Sequence, residues 1–265
     1  MRLTVVGCSG SYPGPYSPSS CYLLEAHEPD PQHPGAPEGR TWRILLDLGN
    51  GALGALHRYA DPLTIDAVFL SHLHADHCLD LCGYHVLRKY HPLGPAPRIP
   101  VWGPRGTAAR MARAYDVAIV PGLSGEFDFM TWQPPTPVRL GPFQVEAIPV
   151  THPVVAYALR VTCEGAVLAY SGDSGPCEGL VTAARDADLF LGEASFQEGG
   201  QNPPDLHLTG RDVGEIATQA GVGRVVLTHI PPWHDPQVSL TEARGSFAGQ
   251  VHLARAGDVY EVGAR

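Results

Sequence analysis

Paired cysteines, a surplus of positive charge and long apolar runs are all missing from this chain, and each absence removes a class of protein. The six cysteines (Cys8, Cys21, Cys78, Cys82, Cys163, Cys177) show no CxxC spacing and no framework of a small stapled scaffold, so disulfides are not expected. Cys78 and Cys82 are four apart and read as core packing on one helix face. Lys and Arg total 18 against 27 Asp and Glu, a net charge of −9, which argues against unaided binding of a polyanion such as tRNA. Nothing approaches the roughly 18 apolar residues of a membrane span. Met1 to Gly7 is too short an apolar stretch for a signal peptide. A soluble cytoplasmic protein with no membrane partner is the expectation.

Charged residues are only 17% of the 265, while 44% are hydrophobic, enough for a substantial core. The 30 Gly and 26 Pro indicate tight loops between short elements. No break in composition divides the chain, so a single domain over 1–265 is expected. Leu3–Val6 reads as a buried strand before a Gly/Ser/Pro-rich loop. Ser20–Ala26 and Trp42–Leu48 read as a hairpin with a solvated tip, His27–Arg40, that holds His27 and His33. Further strands are expected at 67–70, 143–150, 156–161, 167–170, 189–191 and 225–227. Helices are expected at 50–60, 79–90, 107–115, 177–185 and 209–220. The last is marked most clearly: Thr209 caps, Asp212 sits three residues on, and Gly221 stops it. His91–Pro100 reads as a connector, and Val120–Pro137 as an irregular loop. Alternating strands and helices indicate an α/β layered fold.

What is abundant is histidine in one place. Ser71-His72-Leu73-His74-Ala75-Asp76-His77 packs three imidazoles and a carboxylate into six positions directly after an apolar strand. An isolated histidine is more often a surface or satisfied core residue, but this density is a metal signature. Nitrogen at His74 favours zinc over an oxygen-rich iron pair. His152, Asp173 and His229 each end their own apolar run. Alone, each is ordinary: a turn carboxylate is usually a cap. Together they complete two sets. His72, His74 and His152 would hold one zinc, and Asp76, His77 and His229 the other, with Asp173 bridging. Two zinc ions sharing a water bring its pKa towards neutrality and yield a bridging hydroxide nucleophile, which predicts a hydrolase.

The pattern His-x-His-x-Asp-His with His152, Asp173 and His229 resembles the metallo-β-lactamase superfamily over nearly the whole chain. That resemblance implies a four-layer αββα sandwich with a dizinc site at one edge; manganese or iron are the alternatives to zinc that the sequence leaves open. Ala169–Asp173, Gly192–Phe196, His207–Gly210 and Leu227–Ile230 resemble the ribonuclease Z-like phosphodiesterase branch. By that likeness Glu193 and His207 pair beside the metals. His207 would protonate the departing alkoxide and Glu193 would hold it charged. Asp76 would orient the attacking oxygen or take its proton. The departures also inform. Asp173 lies only 21 positions after His152, which leaves no room for the tRNA-gripping arm of short ribonuclease Z. Ile230-Pro231-Pro232-Trp233 replaces the usual Ser-x-Arg, and Asp80 a usual glycine. With Gly7–Ser11, His74–Leu81, Pro204–Leu208 and Thr228–Trp233, these differences are similar to the atypical class II cyclic nucleotide phosphodiesterases of actinobacteria.

That family implies hydrolysis of 3′,5′-cyclic AMP, often with cyclic GMP, to the 5′-nucleotide, and a homodimer. The partner expected is a small anionic nucleotide. Trp233, or an aromatic from Phe127 to Trp132, is the candidate for stacking on the base, and Ser19 and Ser20 are weaker candidates for phosphate contact. Three alternatives stay open. They are an endonuclease working on tRNA 3′ ends, a carbon-ester hydrolase of lactones or thioesters, and a zinc-binding scaffold without turnover.

Overall fold

A computed structural model describes residues 1–29 and 39–263; most of the expected hairpin tip, His33 included, lies outside the described residues. Two seven-stranded sheets pack face to face. The first runs, in spatial order, β14 (Val259–Glu261), β1 (Arg2–Gly7), β2 (Cys21–Glu28), β3 (Arg40–Leu46), β4 (Ala67–Phe69), β5 (Ile99–Gly103), β6 (Phe127–Thr131). The second runs β13 (Gln250–Leu253), β12 (Arg224–Thr228), β11 (Leu189–Glu193), β10 (Ala166–Tyr170), β9 (Tyr157–Cys163), β8 (Phe143–Pro149), β7 (Val138–Leu140). Helices α1 (Ala52–Leu56), α2 (Ala75–Cys78), α3 (Leu81–Lys89) and α4 (Thr107–Ala114) belong to the first half. Helices α5 (Glu178–Ala184), α6 (Gly210–Ala220) and α7 (Pro236–Ser246) belong to the second.

Alternation along the strands builds the layers. In β3, Ile44 and Leu46 point into the seam between the sheets, while Leu45 points outward against α1 and α3. In β10, Leu168 and Tyr170 enter the same seam, and Ala169 faces α5 and α6. Both faces of the central strands are therefore covered, which is why they read as continuous apolar runs rather than alternating ones. The three apolar clusters are the three interfaces of a four-layer αββα sandwich, the fold the resemblance implied.

Strand direction sets where the chemistry falls. β3, β4, β5 and β6 are mutually parallel, as are β10, β11, β12 and β13. β8 runs with β10, both being antiparallel to the β9 between them. The C-terminal ends of β3, β4, β8, β10, β11 and β12 carry the functional loops, as ligand sites in α/β sheets commonly do.

Several sequence expectations change. Val120–Pro137 is not all loop, because Phe127–Thr131 pairs with Ile99–Gly103. The prolines before Ile99 and the glycine- and proline-rich approaches mask both strands. Phe127 is fully buried on the outer face, and Trp132 stacks on Phe69 at 5.7 Å and donates to the Leu70 carbonyl. Phe127 and Trp132 are therefore core, and Phe129 is partly buried against the outer cluster. Ser19 and Ser20 are fully buried. The helix expected at 50–60 contracts to Ala52–Leu56, and the one at 79–90 starts at Leu81 because Ala75–Cys78 makes its own turn. His27 lies in β2, opposite Thr41. Thr209 and Asp212 form the anticipated capping box and Gly221 the left-handed stop. All six cysteines are free.

Candidate metal centre

The histidine-rich segment leaves β4, turns, and enters α2. His72 comes off the strand end, His74 occupies the N-cap position, and Asp76 and His77 lie in the helical turn. His152 follows β8, Asp173 follows β10 and His229 follows β12. These strand ends bring two groups of ligand atoms together: His72, His74, His152 with Asp173, and Asp76, His77, His229 with Asp173.

In the first group His72 Nε2 lies 3.0 Å from His74 Nδ1, which lies 3.2 Å from His152 Nε2; His72 Nε2 is 3.7 Å from Asp173 Oδ2. In the second, His77 Nε2 is 3.2 Å from His229 Nε2 and 3.1 Å from Asp173 Oδ1. His229 Nε2 is 3.1 Å from Asp76 Oδ2. A tetrahedral ion with ligands at about 2.0–2.1 Å separates them by about 3.3 Å, so the spacings fit one ion per group. Asp173 presents one oxygen to each group, and its buried Oδ1 has no hydrogen-bond partner. A buried carboxylate oxygen left so is costly, and a cation between the groups satisfies it.

The other ring nitrogens are tied down, which fixes the ligand atoms. His77 Nδ1 donates to Asp47 at 2.7 Å and His152 Nδ1 to the Leu206 carbonyl at 3.0 Å. Ser195 Oγ donates to the His229 carbonyl and accepts from His229 Nδ1 at 2.7 Å. Ser71 Oγ donates to Asp47 and accepts from His72 Nδ1 at 3.1 Å. Each of these rings then turns its Nε2 to the centre, as metal-binding imidazoles require.

Asp47 is the important residue the sequence reading passed over. Fully buried, it also accepts from the Ser71 N–H and the Tyr170 hydroxyl, and so steadies both halves of the centre. The signal was present: Asp47 ends the run Ile44-Leu45-Leu46 much as Asp173 ends its own.

Burial and the positive field of His77 hold His72 well below the ordinary imidazole range, and burial lowers His74 and His152. Neutral rings are what a cation needs. Burial disfavours charge on Asp173, but His229, His77 and His72 outweigh it and hold its carboxyl well down. Burial likewise opposes charge on Asp76, yet its bond to His229 and the field of His77 lower it. For His77, burial pulls down while Asp173 and Asp47 push further up. A dication held there would take the place of that proton.

Beside this centre, Glu193 at the end of β11 is fully buried. It accepts from the Ser174 and Ser195 N–H groups and from His207 Nδ1 at 2.9 Å. Burial lowers the His207 pKa, but the Glu193 charge and bond outweigh it and push the ring up to about 9. His207 packs against His152 and His229, with ring centroids 5.6 and 5.7 Å away. Glu193, His207 and His229 also cluster, but Glu193 is already occupied by His207, so this trio reads as a held proton carrier rather than a third ion site. Asp80 accepts from the Leu53 N–H and anchors α1.

Residues 42–230 match the family model described as Beta-lactamase superfamily domain. An uncharacterized protein of Mycobacterium tuberculosis is 44% identical over 265 residues, covering 99% of this chain and 92% of its own length. The crystal structure of the metallo-beta-lactamase fold protein YhfI from Bacillus subtilis superposes with a TM-score of 0.84 at 26% identity, covering 99% of both chains. A ribonuclease Z of Myxococcus xanthus is 28% identical over 319 residues, covering 100% of this chain and 99% of its own.

Proposed function

The chain belongs to the metallo-β-lactamase superfamily of metallo-hydrolases, and from that premise we propose that it is a two-metal phosphodiesterase opening small 3′,5′-cyclic nucleotides to 5′-nucleotides. The observation that carries the reading is the pairing of two candidate ligand groups through Asp173 with His207, held by Glu193, at their side. His72, His74 and His152 would hold one ion and Asp76, His77 and His229 the other. Zinc suits this nitrogen-rich set, with manganese or iron as substitutes. When bound, such ions supply Lewis acidity and a water acidic enough to attack at neutral pH.

The chain's own groups supply the rest. Asp76 orients the attacking water and takes its proton. As the new P–O bond forms and the bond to O3′ breaks, His207 gives its Nε2 proton to O3′. Glu193 keeps that imidazolium aimed and charged through Nδ1. A strongly basic leaving alkoxide needs such a donor, which favours phosphodiesters over activated carbon esters.

An endonuclease acting on tRNA 3′ ends is the second reading, supported by the full-length likeness to a ribonuclease Z. Two features count against it. The stretch from His152 to Asp173 is largely taken up by β9 and β10, and the net charge is −9. Incubating metal-analysed protein with cyclic AMP, cyclic GMP and precursor tRNA tests the choice. Release of 5′-nucleotide with intact tRNA is expected. Cleaved tRNA with untouched cyclic nucleotides would overturn the first reading, as would turnover of lactones or thioesters alone.

A further inference from the structure

The loop after β1 and the loop after β12 are laced together directly over one half of the metal centre. His229 N–H donates to the Cys8 carbonyl and Gly10 N–H to the Ile230 carbonyl, while the Ser11 N–H lies 3.5 Å from His229 Nε2. Ser11 and His229 both hold positive φ, 64° and 55°, a conformation non-glycine residues keep only where the surroundings impose it. Next to Ser11, the Tyr12 backbone is pinned by Ser9 Oγ on its carbonyl at 2.7 Å. Its ring sits 5.4 Å from that of Trp233 at an interplanar angle of 32°. This pair is 44% and 61% exposed, so it contributes little to the core. Exposed Val154 and Val155 follow His152 on the other half.

From this geometry we propose that Tyr12 and Trp233 form the platform on which the base of the nucleotide stacks, and so set specificity for a planar ring. The inference rests on the phosphodiesterase reading and adds its recognition element. Two paired aromatic rings on the loops that are laced to His229 suit a compact substrate with one ring and one phosphate. Stacking tolerates either purine, because every base has a π-face. Neither Tyr12 nor Trp233 touches a candidate metal ligand through its ring, which separates their role from metal binding.

Binding of 5′-AMP to the zinc-loaded protein, measured by calorimetry beside ribose 5-phosphate, tests the platform without relying on turnover. Wild type is expected to prefer 5′-AMP. Tyr12→Ala and Trp233→Ala should each weaken it about tenfold or more. Ribose 5-phosphate affinity and zinc content should stay unchanged, and Trp233→Phe should retain most of the preference. Equal affinity of wild type for the two ligands, or no loss in either alanine variant, overturns the platform. Cyclic nucleotide turnover by the same preparations reports separately on the phosphodiesterase reading. Active wild type whose KM is unmoved by Trp233→Ala sinks the platform alone.

Discussion

His207 is held at Nδ1 by a buried carboxylate and packs beside His152 and His229, so its removal should cost proton transfer and little else. His207→Ala is expected to lower kcat on cyclic AMP by about 10²–10⁴-fold with near-normal zinc content. The loss should shrink for p-nitrophenyl esters, whose leaving group needs no proton; loss of zinc instead would make His207 a ligand. The charged form predominates below its pKa, pushed up to about 9, and disappears as pH rises through that value. The kcat profile should therefore fall on the alkaline side, and His207→Ala should flatten that limb. Asp47 touches no candidate ion atom but steadies His77 directly and His72 through Ser71. Asp47→Ala should weaken zinc about 10–100-fold, read by chelator competition, and Asp47→Asn should recover part of it.

At the scale of elements, two close backbone approaches lock the loops that carry the centre. A Cβ on Gly10 would stand 2.1 Å from the His229 carbonyl oxygen, and one on Gly49 1.9 Å from that of Asp76. Backbone, not a flexible side chain, opposes each, so Gly10→Ala should displace His229 and sharply reduce occupancy of the Asp76–His77–His229 group, measurable as bound metal per chain. Much of this scaffold was legible in advance. The apolar runs at β4, β10, β11 and β12 and the Thr209–Asp212 cap announce themselves within a few residues, and so do the candidate ligands at the strand ends. β5 and β6 did not, because Pro100 and the neighbouring prolines and glycines imitate a loop, while the pairing that makes them strands spans the sheet. Asp47 was hidden for a related reason. Its importance lies in four hydrogen bonds to three residues at sequence distances of 24 to 123, which no local window displays.

For the whole molecule, the important fact is how the donors divide. His72, His74, Asp76 and His77 hang from the first sheet; His152, Asp173 and His229 hang from the second. Any ion bound here joins the two halves of the sandwich, and ligand binding stabilises the folded state by mass action. Zinc at about 1,000 times its dissociation constant should add about 4 kcal/mol, seen as a rise in Tm that a chelator reverses. If Tm proves indifferent to metal, the groups do not close on a shared ion. The division also means that metal supply would govern endurance as well as rate. Where the ions are scarce, the clasp along that edge loosens, and protease nicking should begin in the strand-end loops long before the helical flanks give way.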